Sequence, residues 1–449
     1  MRSFDLVVLG AGTAGASAAK AGAALKARTA LVEEDGFAGM CLRAGCIPKK
    51  VLVNTVELLW RARAAKGLGL SGASRLGLDW AAVIDRKDAI VDRWSKGKQR
   101  RLERRGITVL RGAARFVAPH EIEVGGRRVR AKKIVIATGS VPHKPEIDGV
   151  ELAVTSDEFL DRRELPQRAV FIGGGAIALE FGFVLARAGS SVTILQQGAS
   201  VLPEADDELR TSLMAIARKT GIAIEVNATV TRIAPDRTVE AEMGRAPRPR
   251  RFPADLVVLT AGRLPNVRTL ELGAAGVATE DGAVKVNAFL QSVSAPHVYV
   301  AGDAAGEPMH TSVAWYEGTL AAENALGRKR RRANLSPLPF ATFTIPALGQ
   351  VGLTERAARE RGYRVRVSRS PMEDNAAAGI RQETEGLVKV VADAATDRVL
   401  GVHVLGAHAE DLVQIAAAAM RGGLTRAEVG AILYVFPTLG GAIFEAMAA

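Results

Sequence analysis

The stretch Phe4-Asp5-Leu6-Val7-Val8-Leu9-Gly10-Ala11-Gly12-Thr13-Ala14-Gly15 decides the fold. Residues 4–9 are a short apolar run, as a buried parallel strand requires. Three glycines follow at the spacing of a phosphate-cradling turn, and an Ala-rich stretch to about Lys26 has the composition of a helix. Residues 29–32 read as the next strand, which ends in Glu33. A lone Gly-x-Gly-x-x-Gly is a weak signal. Strand, glycine turn, helix, strand and acid in that order form a dinucleotide-binding fingerprint. Gly10, Gly12 and Gly15 let the backbone reach a pyrophosphate, the helix N-terminus supplies N–H donors, and Glu33 accepts from a ribose hydroxyl.

The pattern repeats downstream. Residues 169–172 form a strand, followed by Gly173-Gly174-Gly175-Ala176-Ile177-Ala178, a helical run to about Ala188, and a strand from Ser191 to Leu195. Ala178 replaces the third glycine, a tolerated variant. Two such sites imply two nucleotides, one flavin and one nicotinamide, with electrons passing between them; the alternative is one true site and one decayed copy. Strand-and-turn segments at Lys133–Ser140, Leu256–Gly262 and Val298–Asp303 echo one another and point to two related nucleotide folds.

The chain has 449 residues, 48% hydrophobic and 24% charged, which suits a globular protein of two to four domains. It contains no apolar run of 18 residues, so no membrane span is expected. The chain opens directly into a strand with no signal-peptide pattern, which implies a cytoplasmic protein. The net charge of +12 lies in separate clusters at 96–105, 245–251 and 328–332. These are not interleaved with aromatics, which argues against a nucleic-acid partner. Residues 328–339 read as a linker, and helices are expected over 410–420 and 425–432. Two cysteines alone, Cys41 and Cys46, exclude a disulfide-stapled secreted fold, and no metal-ligand set is expected. Their spacing makes them a catalytic pair or an accident.

The segment Gly39-Met40-Cys41-Leu42-Arg43-Ala44-Gly45-Cys46-Ile47-Pro48-Lys49-Lys50 favours the pair, because thiols this close can form a disulfide across one turn of a distorted helix. It resembles the redox motif of the class I flavoprotein disulfide reductases, the pyridine nucleotide–disulfide oxidoreductases. That family includes glutathione reductase, dihydrolipoamide dehydrogenase and mercuric reductase. The likeness covers the whole chain, with five motifs in the family's order. It implies an α/β fold of two doubly wound Rossmann-like nucleotide-binding domains plus a C-terminal α+β dimerisation domain. The expected segments are 1–147 for FAD, 148–264 for NAD(P), 265–332 returning to the FAD-binding and central region, and 333–449 for dimerisation. A homodimer is implied, in which the C-terminal segment of one chain completes the partner's site.

The resemblance also implies roles. Gly10, Gly12, Gly15 and Glu33 hold the adenosine half of FAD; Asp303 contacts the flavin's ribityl chain, Thr138 and Gly139 line the same domain, and Gly262 and Gly302 are further cofactor-binding positions. Gly173, Gly175 and Ala178 hold the pyrophosphate of NAD(P)H. Cys41 is the interchange thiol that attacks a small-molecule substrate, and Cys46 faces the flavin. Lys50 sits near the flavin and pairs with Glu180, and the helix starting at Thr311 points its N-terminus at the flavin. Electrons run from nicotinamide to flavin, then to the disulfide at Cys46, releasing Cys41 as a thiolate nucleophile.

The sequence departs from the family at its C-terminus. Phe436-Pro437-Thr438-Leu439-Gly440-Gly441 stands where His-Pro-Thr-x-x-Glu is usual, so Phe436 and Gly441 replace the acid–base pair, and Glu445 is out of register. General acid–base assistance contributes about 10²–10⁴-fold, so its loss favours acceptors that need no proton. Mercuric reductases look nearest, although their C-terminal cysteine pair is missing. Alternatives are a thiol enzyme resembling 2-ketopropyl coenzyme M oxidoreductase/carboxylase, and a low-turnover flavin-binding redox sensor. Met40, Arg43 and Lys49 replace the family's Thr, Asn and Ser, and Ala176 stands where a gating Tyr is common. Gln196, at the position that selects between NADH and NADPH, predicts use of both with a lean to NADPH.

Overall fold

The computed structural model describes residues 1–244, 249–327 and 330–449. Parts of the basic clusters at 245–251 and 328–332, and the start of the 328–339 linker, lie outside the described residues. The chain divides into two compact units, one of residues 1–49, 84–143 and 262–335, the other of residues 50–83, 144–261 and 336–449.

The first unit is built on a sheet whose parallel strands run in the order Thr108–Arg111, Thr29–Glu33, Arg2–Leu9, Arg127–Ile136, Val298–Val300. An antiparallel meander, Ala114–Ala118 and Glu121–Val124, joins the same sheet through Arg127–Ile136. The crossover from Arg2–Leu9 to Thr29–Glu33 is the helix Thr13–Ala24. The glycine fingerprint has a steric cause. Gly10 has φ +98°, and a Cβ there would lie 2.4 Å from the Ala137 carbonyl oxygen. A Cβ on Gly15 would lie 1.7 Å from the Gly10 oxygen. The helix Thr311–Leu326 packs against Thr13–Ala24 at backbone contact, because a Cβ on Gly318 would fall 2.1 Å from the Ala14 oxygen.

The second unit repeats this plan. Its parallel strands run Ile222–Val226, Ser191–Gln196, Arg168–Ile172, Leu256–Leu259, Val154–Thr155, and the strands Ala228–Ile233, Val239–Met243 and Arg250–Phe252 form a separate antiparallel sheet. The crossover helix is Ala176–Ala188. The five parallel strands therefore share one order in both units, but the antiparallel strands join the main sheet only in the first, and the fifth strand differs in origin. In the first unit it comes from late in the chain, in the second from just before the repeat. Ala178 is fully buried, so here the third turn position has room for a methyl group that Gly15 lacks.

The second unit also holds a five-stranded antiparallel sheet, Pro339–Thr342, Ala347–Gly352, Val399–Gly406, Leu387–Asp393 and Val365–Pro371 in that spatial order. The helices Ala409–Gly422 and Gly441–Ala448 cover it around a core of Val390, Val402, Leu412, Ile443 and Met447. Each such side chain removed from water contributes about 1.5–3 kcal/mol. A buried cation ties this sheet to the nucleotide-type fold. Lys389 Nζ lies 3.0 Å from Asp206, 3.1 Å from Glu208 and 2.9 Å from Glu355. Residues 50–83 pack with the same unit: Arg61 pairs with Glu383, and the Trp80 indole donates to the Arg162 carbonyl. Among the described residues no helix is long and apolar enough to cross a membrane.

Candidate functional site

In the first unit the redox segment is two helices, not one distorted turn. Gly39–Arg43 carries Cys41, the chain breaks at Ala44-Gly45, and Cys46 opens the helix Cys46–Ala64. Gly45 sits in the break because a Cβ there would come within 3.1 Å of the Met40 oxygen. Gly39 has φ +64° and touches the nucleotide turn, since its Cβ would lie 2.5 Å from Gly12 Cα. The cysteine segment is thereby pinned to the phosphate-cradling turn.

Both cysteines are free thiols. Cys46 Sγ lies 3.0 Å from Thr311 Oγ1, the first residue of the helix Thr311–Leu326. Cys46 therefore stands at one helix N-terminus and faces another, where partial positive charge favours a thiolate. Its pKa is lowered to about 6, chiefly by the hydrogen bond from Cys41, with the Thr311 hydroxyl and the Lys49 charge adding to it and burial opposing it. The same bond, together with burial, pushes the Cys41 thiol up. The hydrogen bond between the thiols thus favours the thiolate on Cys46 over one on Cys41. His310 precedes Thr311 as the helix cap, and burial lowers its pKa, favouring the neutral ring.

The remaining first-unit residues gather around the same sheet. Glu33 folds back onto its own turn, accepting from the Ala11 N–H at 2.6 Å and from the Asp35 and Gly36 N–H groups. Asp303 accepts from Ser140 Oγ at 2.7 Å, and Arg263 donates to the Ser140 hydroxyl and carbonyl at 2.9 and 3.0 Å. Gly139, at φ +74°, accepts through its carbonyl from the Asn266 N–H, and the Gly262 carbonyl accepts from the His143 N–H. The Gly302 N–H donates to Glu317 Oε2 at 2.8 Å. Sequence reading missed Glu317, which shares its helix with Glu323 and several polar residues, so its burial had no local signal. Burial raises its pKa to about 7, with Asp303 nearby adding and the Gly302 N–H opposing.

These residues fit a flavin dinucleotide. The turn leaves no room for side chains at Gly10 and Gly15, and Glu33 offers a ribose acceptor. Thr138 Oγ1 is buried without a hydrogen-bond partner, as a group that meets a ligand would be.

In the second unit Gln196 stands to its turn as Glu33 does to the first, since its Oε1 accepts from the Gly174 N–H at 2.7 Å. Its amide NH₂ remains a donor. Gly173 has φ +105° and approaches the Thr260 oxygen, whereas the Cβ position of Gly175 is open. Lys50 and Glu180 meet at Phe343: the Lys50 ammonium lies 4.4 Å from the ring centroid, and Glu180 accepts from the Phe343 N–H at 2.9 Å. Lys50 also pairs with Glu410 at 2.5 Å, a partner that sequence reading did not name. His408, Glu410 and Asp411 bring ligand atoms within 4.8 Å of one another, but Lys50 sits on Glu410 and Arg381 on His408.

Phe436 lies on an exposed apolar loop of the second unit, with Leu433 98%, Val435 77% and Phe436 69% accessible. Glu445 does not replace the missing acid at Gly441. It accepts from the Tyr434 hydroxyl and from Ser370 Oγ, both at 3.3 Å, and Tyr434 stacks on Phe444. A Cβ on Gly441 would meet the Tyr434 ring at 3.0 Å.

Comparison with known proteins bears on this arrangement. Residues 4–318 match the family model described as pyridine nucleotide-disulphide oxidoreductase, and residues 338–447 match that family's dimerisation domain. The chain is 35% identical to a glutathione reductase of Burkholderia cepacia over 97% of this chain and 96% of that protein. It is 33% identical to a mercuric reductase of Bacillus cereus over 94% of this chain and 67% of that protein. A solved structure of the HOCl-induced flavoprotein disulfide reductase RclA from Escherichia coli, a Cu(II) complex, superposes with a TM-score of 0.90 at 27% identity, covering 100% of this chain and 99% of that one.

Proposed function

The chain belongs to the pyridine nucleotide-disulphide oxidoreductase family, and from that premise we propose that it is an FAD-dependent enzyme that passes electrons from NAD(P)H through Cys41 and Cys46 to a small disulfide, a metal ion or another electrophile. The observation that carries this reading is the thiol pair itself. Cys46 is held as the anionic member by Cys41, Thr311 and Lys49, beside a turn that fits a dinucleotide.

Bound FAD would accept a hydride equivalent from the nicotinamide and deliver the electron pair to the Cys41–Cys46 disulfide. Glu33 and the Gly10–Gly15 turn would hold its adenosine half, and Asp303, oriented by Ser140, its flavin side. The protein's own part is to separate the two thiols. Cys46 keeps the charge. Cys41, with its raised pKa, carries the proton until an acceptor takes its place. That order suits an acceptor that binds sulfur directly, such as a thiophilic metal ion. A metal ion displaces the Cys41 proton to solvent on binding and needs none delivered in return, whereas a disulfide leaving group would need the proton that a His at Phe436 would carry. The Cu(II) complex of RclA supports the metal-ion version. Gln196, neutral and with donors to spare, supports acceptance of both NADH and NADPH with a lean to NADPH. The match to the dimerisation domain and the exposed 432–436 loop support a homodimer in which that loop is covered by the partner.

The test is an anaerobic titration of the purified protein with NADPH and, separately, NADH, followed in the visible flavin spectrum. Uptake of two electron pairs per flavin with a new long-wavelength band is expected. Uptake of one pair with simple bleaching would mean that the cysteines take no part.

A further inference from the structure

Lys98 is a charged group that neither the fold nor the thiol chemistry uses. It follows Gly97, whose φ is +74°, and begins the short helix Lys98–Glu103. Its ammonium donates to the Ala11 carbonyl oxygen at 3.1 Å, inside the Gly10–Gly15 turn. Among the described residues no carboxylate pairs with it, although Glu33 and the Cys41 thiol are near enough to favour its charge. Burial and the neighbouring charges of Lys20 and Arg101 act the other way. An ammonium has three donors, and here one is spent on a carbonyl. Holding a partly buried cation at this place without an anion is unfavourable. Met40, on the segment that touches the same turn, has a side chain with no hydrogen-bond donor. A full positive charge at the mouth of the turn thus comes from Lys98.

We propose that Lys98 is a phosphate-binding residue of the first nucleotide site, its ammonium closing over the pyrophosphate of the dinucleotide that the Gly10–Gly15 turn receives. The inference rests on the flavin reading above and adds to it a contact from outside the strand–turn–helix unit. The Ala11 carbonyl holds the ammonium at the turn before the nucleotide arrives. A dinucleotide brings the missing anion, and the bond it makes with the ammonium is charge-assisted, the stronger kind of hydrogen bond.

The experiment measures FAD affinity of the full-length protein by the recovery of free-flavin fluorescence on dilution, over a series of KCl concentrations. The proteins are wild type, K98M, K98R and R104M, the last removing an exposed charge from the same segment. K98M is expected to bind FAD about tenfold or more weakly and to show a flatter dependence on salt. K98R should keep part of the affinity, and R104M should stay within about twofold of wild type. Should K98M fail to fold by circular dichroism, K98Q carries the same comparison. Stoichiometric FAD in wild type with equal affinity in K98M or K98Q would overturn the proposal and leave the flavin reading intact. Wild-type protein that holds no FAD would overturn the flavin reading, and this inference with it.

Discussion

Replacing Cys41 with Ala tests whether the thiol pair is organised as the geometry indicates. The hydrogen bond from Cys41 is the largest cause that lowers the Cys46 pKa to about 6, ahead of Thr311 and Lys49. At pH 7 a thiol of pKa 6 is about nine-tenths thiolate, and one near its ordinary value is a few per cent thiolate or less. Removing Cys41 leaves Thr311 and Lys49 working against burial, so the midpoint is expected to rise above about 7, and the thiolate fraction at pH 7 to fall below about half. The assay is alkylation by iodoacetamide of the reduced protein under anaerobic conditions from pH 5 to 10, with Cys46 followed by peptide mass spectrometry. The midpoint of the pH profile is the quantity to read, because the intrinsic reactivity of a thiolate itself climbs with its pKa. A wild-type midpoint above 8, or a Cys41→Ala midpoint still at about 6, would refute the reasoning.

Glu317→Gln probes the buried acid behind Gly302. Its folded pKa of about 7 stands above the ordinary 4.5, so the native state holds a proton that the unfolded chain releases, and stability falls as pH rises from about 4.5 through about 7. Gln keeps an acceptor for the Gly302 N–H and has no charge to bury. Relative to wild type it should gain up to about 3 kcal/mol between pH 5 and pH 8 in urea unfolding, and parallel pH dependences in the two proteins would show that Glu317 is not the group responsible. Lys389→Met leaves Asp206, 2% exposed, as a buried charge without its cation. Thermal melts should show a loss of about 3–5 kcal/mol, and a loss below about 1 kcal/mol would mean that the cluster contributes little to stability.

Much of this was legible in the sequence, for a physical reason. The strands at 4–9, 29–32, 169–172 and 191–195 are mostly buried, so they read as largely apolar runs broken only at Asp5, Thr29, Ser191 and Thr193, and glycines of the two turns are fixed by close backbone contacts. The Cys41–Cys46 pair was legible from spacing. What sequence left open depends on side chains far apart in the chain. Thr311 lies 265 residues from the thiol it touches, and Glu410 lies 360 residues from Lys50. No periodicity encodes such contacts. The break at Ala44-Gly45 was not read either, because Gly45 serves there to avoid the Met40 carbonyl at an ordinary φ, and nothing local marks that collision. The fate of Glu445 was half legible. Its distance from the expected position was plain, but its engagement by Tyr434 and Ser370 needed the folded C-terminal sheet.

The contact between the helices Thr13–Ala24 and Thr311–Leu326 has a mechanical consequence. Gly318 lets the two backbones touch at Ala14, and Gly302 is hemmed in by Ala14 and Ala314, so there is no slack for either helix to slide or roll. One helix begins at the glycine turn and the other at the hydroxyl that meets Cys46. The two ends of the site are therefore joined by a strut of fixed length. The five-residue helix Gly39–Arg43, which carries Cys41, is tied beside that strut at both of its ends, by the Gly39–Gly12 contact and by the Arg43–Asp35 ion pair.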